Sequence, residues 1–367
     1  MKSLKRLLIW ATGAIAAFGV AAIFIFRMPI FGGSFEEARW ERMRHSPQFH
    51  ENRFENTPPQ KSEMEFLKTL QDYSKGQVRK PQFVVPVVKL TTSQFAEEIE
   101  PGLRAYWFGH STTLIEIDGI RVMTDPVFSE YASPFQGVGP KRLHPVPLAL
   151  EQMPRVDAVV ISHDHFDHLD MEATKHFAAR GTHFYVPLGV GAHLARWSVP
   201  AQQIHEMDWW DSAEIKGVQV NCTPARHYSG RKRMDNSTLW SAWLVRGPHS
   251  SFYFSGDTGY SHHFSETRKR LGAVDLSVLK VGAYGSTWLD IQMDPESAIR
   301  AHQDLGGKVF LPVHWATFNL SYHAWDEPIV RTVAAARKAG VQIVTPAPGE
   351  KVELGKPFVN REWFLQH

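Results

Sequence analysis

The sequence predicts an α/β chain in which metal-binding side chains sit at the ends of buried strands. Three observations carry this. The apolar run 158–161 reads as a short strand buried on both faces, and after Ser162 three histidines and two aspartates fall within six residues. Residues 171–177 then read as a helix with Asp170 as its N-cap. Further along, the strand-like runs 218–223, 251–255 and 308–313 lead to His227, Asp257 and His314. Open α/β sheets place their ligand sites at such strand ends.

The cluster itself has the spacing His-x-His-x-Asp-His, at His163, His165, Asp167 and His168. Imidazole nitrogen and carboxylate oxygen suit zinc and related divalent ions. An open catalytic ion takes about three protein ligands and keeps a water. Four ligands so close together therefore fit two ions, each completed from elsewhere in the chain. A His-rich surface loop that binds nothing would lack the buried strand before it and the remote partners.

Taken in order, the chain begins with Lys2, Lys5 and Arg6, followed by the uncharged run 7–26. At about 1.5 Å per residue this run is long enough to cross a hydrocarbon core about 30 Å thick. The basic cluster before it predicts a cytoplasmic N-terminus, with everything after Arg27 across the inner (plasma) membrane, in the periplasm of a Gram-negative cell. A cleaved signal peptide is the rival reading, since Ala14, Ala16, Ala21 and Ala22 offer small residues for cleavage. The length of the run favours an uncleaved anchor over residues 1–29. Cys222 is the only cysteine and the net charge is +2. The chain thus has no internal disulfide and no cysteine-based zinc site, and composition gives no argument for nucleic-acid binding.

Residues 30–100 read as an extension packing on the catalytic body, with short amphipathic helices over 34–44 and 61–73 and a Pro/Asn-rich link between them. The remainder, 101–367, is expected to form one α/β domain that carries the site. Its opening strands, 103–108, 113–117 and 120–124, surround Gly109-His110-Ser111-Thr112 and an Asp118-Gly119 hairpin turn. Asp125 is expected to hydrogen-bond a ligand histidine from behind. In the Pro/Gly-rich loop 133–147, Lys141 and Arg142 are candidates for attracting a phosphodiester.

The string Trp107-Phe108-Gly109-His110-Ser111-Thr112, with Thr124-Asp125-Pro126 and the His loop, resembles the metallo-β-lactamase superfamily. The likeness is to the branch that holds the N-acyl-phosphatidylethanolamine-hydrolysing phospholipases D and the ascorbate-6-phosphate lactonase-like enzymes. Pro224-Ala225-Arg226-His227, Gly256-Asp257-Thr258-Gly259-Tyr260, Gly282-Ala283-Tyr284, Asp294-Pro295-Glu296 and His314-Trp315-Ala316-Thr317-Phe318 resemble the phospholipases in the same order. The resemblance implies a four-layered αβ/βα sandwich with two Zn²⁺ ions. His163, His165 and His227 would hold one ion, Asp167, His168 and His314 the other, and Asp257 would bridge them. It implies catalytic roles for Asp167, Asp257 and His314, and substrate contacts from Gln292, Tyr284 and His323. Tyr284, Trp288, Trp315 and Phe318 are candidates for the mouth of the site.

One departure stands out. The Gln-His pair that faces the lipid phosphate in the animal phospholipases falls at Ile291-Gln292, so the position keeps a hydrogen-bonding group and loses a charge. The implied reaction is hydrolysis of a membrane glycerophospholipid to phosphatidate and an N-acylethanolamine, by a bilayer-anchored chain that is a monomer or a homodimer. A hydrolase of soluble phosphodiesters or lactones, and a non-catalytic zinc-binding envelope protein, are the alternatives.

Overall fold

Alternation along the first long strand already assigns two opposite faces to its sheet. The computed structural model describes residues 10, 24–59, 68 and 77–366. A small hairpin, β1 (Phe49–His50) and β2 (Arg53–Phe54), belongs to the extension. The first sheet then forms from β3 (Leu103–Gly109), β4 (Thr112–Ile117), β5 (Ile120–Thr124), β6 (Ala158–Val160), β7 (His183–Pro187) and β8 (Ile204–Met207). The second contains β9 (Ser212–Ile215), β10 (Val218–Thr223), β11 (Ala242–Arg246), β12 (Ser251–Phe254), β13 (Leu276–Lys280), β14 (Val309–Val313) and β15 (Gln342–Ile343). Strand β16 (Lys351–Glu353) returns to the first sheet, pairing antiparallel with β3.

The seven-stranded orders are β16-β3-β4-β5-β6-β7-β8 and β15-β14-β13-β12-β11-β10-β9. Both sheets are mixed: the β3–β4–β5 meander is antiparallel, whereas β5 through β8 run parallel. In β3, Leu103, Ala105 and Trp107 face the large core shared with Val220, Cys222, Trp243 and Phe252 of the second sheet. Tyr106 and Phe108 face the opposite way, into a smaller core with Phe177, Leu194 and Trp197 of the outer helices. This is the period of two that a half-turned pleat requires. Trp243 ties the layers together by donating its indole N–H to the Ile161 carbonyl at 2.9 Å. The predicted αβ/βα sandwich is therefore present.

The helices α2 (Met171–Ala179) and α3 (Gly191–Arg196) cover the first sheet, and α4 (His263–Leu271), α5 (Pro295–Leu305) and α6 (Glu327–Ala339) belong to the second half of the chain. Asp170 caps α2 as expected, accepting from the Glu172 and Ala173 amides. The Asp118-Gly119 turn has positive φ at both residues, 46° and 92°, which matches the twist of the β4–β5 hairpin.

In the extension, α1 (Glu37–Arg44) is the first predicted helix, three residues shorter than expected at its start. The second predicted helix, 61–73, lies outside the described residues apart from Lys68, and most of the run 7–26 lies outside them too. Among the described residues, no helix is long and apolar enough to cross a membrane. The rest of the extension is docked on the body: Arg39 pairs with Glu206 at 2.6 Å, and Phe54 is fully buried in the shared core.

The buried histidines make the fold sensitive to acid. Burial pushes His144 and His263 down to about 3 and His302 to about 4. An unfolded histidine takes its proton near pH 6.5. Between about pH 6.5 and 4 the unfolded chain therefore binds more protons than the folded one, and stability falls as pH falls. We expect the melting temperature of metal-free protein to drop by several degrees across that window, and His302→Asn to flatten the drop. An unchanged slope in that variant would contradict the assignment.

Candidate metal centre

The His loop leaves β6 and turns at once into the interface between the sheets. Asp125, at the end of β5 and fully buried, fixes that turn. Its Oδ1 accepts the Ser162 amide at 2.7 Å, while its Oδ2 accepts the Ser162 hydroxyl at 2.5 Å and His168 Nδ1 at 2.6 Å. The last bond sets the His168 tautomer and leaves Nε2 for another partner, the support expected of Asp125. Gly256 must be glycine here: with φ of 52°, a Cβ would lie 2.2 Å from the Ser162 Cβ. Backbone in the left-handed region recurs around the centre, at His110 (52°), Asp125 (33°) and His314 (66°). Non-glycine residues adopt it only where the surroundings hold them there.

The predicted ligands converge. His163 Nε2 lies 2.8 Å from His165 Nδ1, and His227 Nε2 lies 3.4 Å from the same atom. Beside this trio is a second. His168 Nε2 is 3.2 Å from Asp167 Oδ2, and His314 Nε2 is 3.6 Å from that oxygen. Asp257 stands between them, with Oδ1 3.1 Å from His314 Nε2 and 3.5 Å from His168 Nε2. Its Oδ2 is 3.9 Å from His227 Nε2.

These residues fit a pair of divalent ions on their own chemistry. Among the described residues, His168 Nε2, His314 Nε2 and Asp257 Oδ1 are buried without a hydrogen-bond partner. Leaving such atoms unpaired costs about 1–3 kcal/mol each, and all three point into the second trio. Within each trio the donor atoms lie within 4.8 Å of one another.

The electrostatics follow from crowding and burial. Burial holds His163 well below the usual imidazole range, brings His227 down to about 3 and lowers His165. These rings are therefore neutral, the form that binds metal. Burial alone would raise Asp167 and Asp257, but neighbouring histidines, His168 above all for Asp167 and His314 for Asp257, hold both carboxylates well below their ordinary value. Burial opposes protonation of His168, yet Asp167, Asp257 and Asp125 together raise it well above the ordinary value.

His110 is not in either trio, but it belongs to the site. Its Nε2 lies 2.9 Å from Asp167 Oδ2, its ring centroid is 3.9 Å from that of His314, and its backbone carbonyl accepts the His314 amide at 2.8 Å. Sequence reasoning left its role open. Lys280, at the end of β13, was missed altogether. Its ammonium is fully buried, has no hydrogen-bond partner among the described residues, and is pushed down to about 8 by burial against the pull of Asp257, Asp294 and Asp167. A lysine in a strand-like run reads as a solvent-facing position, so nothing in the sequence marked it.

A cavity of about 260 Å³ opens above the centre, with Asp167, Asp257 and His314 on its floor and Tyr228, Trp288, Ile291, Gln292, Leu320 and Tyr322 around it. Several substrate expectations are corrected here. Tyr284 and His323 stand behind the cavity wall: the Tyr284 hydroxyl donates to Glu327 at 2.6 Å. His323 accepts the Ala283 amide on Nε2 at 2.9 Å and donates from Nδ1 to the Ala324 carbonyl at 2.8 Å. Trp315 is buried in a stack with Trp107, 5.2 Å between centroids. Phe318 packs on His110 at 5.2 Å. Lys141 pairs with Glu130 at 2.8 Å, and Arg142 is buried with a bond to the Val127 carbonyl. Gln292 does line the cavity, but its amide donates to Asp257 Oδ2 at 2.6 Å. It orients the central carboxylate with one of its two amide protons, so its first partner is Asp257 and not a substrate oxygen. Trp288 is where it was expected.

Fold and site together define a metal-dependent hydrolase. Residues 120–315 match the model of the beta-lactamase superfamily domain, and the chain belongs to the metallo-β-lactamase superfamily. An uncharacterized protein of Mycobacterium tuberculosis is 48% identical over 266 residues, 71% of this chain and 72% of that one. The N-acyl-phosphatidylethanolamine-hydrolyzing phospholipase D 1 of Caenorhabditis elegans is 35% identical over 247 residues, 64% of this chain and 69% of that one. Among solved structures, a metallo hydrolase of the archaeon Ignicoccus hospitalis matches with a TM-score of 0.53 at 22% identity, over 70% of this chain and 99% of that chain, a likeness of fold.

Asp125→Asn tests the support of the centre. An amide cannot accept from Ser162 N, Ser162 Oγ and His168 Nδ1 at once, so at least one buried donor loses its partner. We expect metal affinity to fall roughly 10–100-fold in chelator competition, the usual effect of removing such a partner. Unchanged affinity would show that the His loop holds itself.

Proposed function

We propose that this chain is a two-zinc phosphodiesterase of phospholipase D type, cleaving N-acyl-phosphatidylethanolamine-like lipids to phosphatidate and an N-acylethanolamine. The observation that carries the proposal is the cavity. Its charge-bearing groups Asp167, Asp257 and His314 form its floor, while Trp288, Ile291, Leu320 and Tyr322 make most of a wall that Tyr228 and Gln292 complete. That division suits a substrate with a phosphodiester at one end and apolar chain beyond it. The 35% identity to the nematode phospholipase supports the same choice.

His163, His165 and His227 would hold one zinc, Asp167, His168 and His314 the second, and Asp257 would join them. A nitrogen and oxygen donor set without cysteine suits zinc. Bound ions of this kind supply a water of lowered pKa and neutralise charge on the reacting oxygens. The chain's own groups do the rest. Asp167 is the least buried of the cluster carboxylates, 15% exposed, and faces the cavity. It takes the proton from the attacking water, with His110 holding its other side. The water oxygen bonds to phosphorus, the bond from phosphorus to the alcohol oxygen breaks, and the proton passes to that leaving oxygen. Gln292 keeps Asp257 oriented throughout. The apolar wall excludes bulk water from the reacting phosphate.

In this reading the run 7–26 is a single-pass anchor in the inner membrane, with the N-terminus cytoplasmic and the hydrolase domain outside, so that the cavity works beside its lipid. A non-catalytic zinc protein would have no use for Asp257 and His314 at the floor of an open cavity.

The test is hydrolysis of N-acyl-phosphatidylethanolamine in mixed micelles, against a soluble phosphodiester and a lactone, with and without chelator. Chelator-sensitive release of N-acylethanolamine is expected. Turnover of the soluble compounds alone would keep the hydrolase and overturn the lipid assignment. Trp288→Ala should raise KM for the lipid roughly tenfold, the scale of removing one apolar contact surface. It should leave kcat on the soluble diester within about twofold.

A further inference from the structure

We propose that the N-terminal extension, residues 29–56, is a strap that positions one ion site, His163, His165 and His227, and leaves the other to the body. It acts through its own Asn56 and through His193 of the body, against which it docks. The inference rests on the two-ion reading above.

One end of the strap grips His227. Asn56 is buried, 8% exposed, and lies 171 residues from the ligand in sequence. Its Nδ2 donates to the His227 carbonyl at 2.8 Å, and its Oδ1 accepts the His227 amide at 3.1 Å. Only a side-chain amide offers a donor and an acceptor in that geometry. The paired bonds fix the main chain at the ligand, while Nδ1 donates to the Ile291 carbonyl at 3.1 Å and leaves Nε2 facing the trio. The neighbouring Arg226 extends the grip by donating to the Pro58 carbonyl.

The other end grips the loop that carries His163 and His165. Trp197 donates to the Pro29 carbonyl at 2.6 Å and Arg231 Nε to the Ile30 carbonyl at 2.6 Å. The same guanidinium donates to the carbonyls of Asp164 and Leu169, each at 2.9 Å. It lies 4.2 Å over the Phe166 ring. Phe31 also meets Phe166 edge-on at 6.1 Å. The Gly33 amide donates to His193 Nδ1 at 3.1 Å, and His193 Nε2 faces Asp164 Oδ2 at 3.4 Å. Asp164 sits between the two ligand histidines, and its Oδ1 accepts the Gly230 amide at 2.8 Å. The strap presses hard on His193: a Cβ on Gly32 would fall 2.0 Å from Nδ1.

The strap's contacts at Phe166 and Leu169 adjoin Asp167 and His168, but the second trio has no counterpart, among the described residues, of the Asn56 clamp on a ligand's own backbone. Among the described residues, the hydrogen bonds to Asp167, His168 and His314 come from the body, through His110, Asp125 and the His165 carbonyl. The strap thus divides two adjoining ion sites by the source of their support.

The test is cobalt(II) and zinc titration of the full chain, followed by visible absorption and chelator competition, with His227→Ala defining the signature of the strapped site. The unsubstituted chain should bind two ions. Asn56→Ala should weaken the strapped site roughly 10–100-fold, as loss of a ligand's supporting partner does, and leave the other within about threefold. Asn56→Asp, which keeps the acceptor and loses the donor, should fall between. Equal weakening of both sites, or of neither, overturns the strap. Fewer than two ions in the unsubstituted chain overturns the two-ion reading instead. If Asn56→Ala fails to fold, His193→Ala is read in the same way and decides the matter.

Discussion

The constraint on which the rest of the structure depends is the burial of many ionisable groups at one point. Five histidines and two aspartates meet between the sheets, nearly out of reach of water. Burial disfavours every charge there, and the neighbouring histidines keep the two carboxylates ionised. A centre of this kind cannot assemble on a flexible loop. The fold answers by placing each ligand where a buried strand ends, and by giving the His loop one rigid partner, Asp125, that satisfies three donors at once. The left-handed backbone at His110, Asp125 and His314 belongs to the same bargain: locally unfavourable conformations persist because packed strands leave no alternative.

What was legible in the sequence follows from that arrangement. Strand ends can be read from apolar runs, so the candidate ligands His163, His165, Asp167, His168, His227, Asp257 and His314 were all named, and the fold brings them together. The sandwich followed from the resemblance and from the alternation in 103–108. Asp125 was legible because a carboxylate after a buried strand has few other uses. Gln292 was legible as a cavity position but not in its contact, since the direction of an amide depends on its neighbour Asp257.

The residues that were misplaced lie on loops, where the chain has no period to read. Tyr284 and His323 come from motifs that looked like substrate contacts, yet each spends its polar atoms on protein partners. Tyr228, Leu320 and Tyr322 line the cavity without any local pattern. Asn56 is the extreme case: an asparagine in a Pro/Asn-rich link reads as turn chemistry, and only the folded chain places its amide against a ligand's backbone. Lys280 is hidden for the opposite reason, since its strand gave no sign that a lysine there would be fully buried.

The measurement that tests the account most directly is diffraction from zinc-loaded crystals at wavelengths on either side of the zinc absorption edge. The account requires two anomalous peaks, one among His163, His165 and His227 and one among Asp167, His168 and His314, with Asp257 in contact with both. A single peak, or peaks away from these residues, would contradict it.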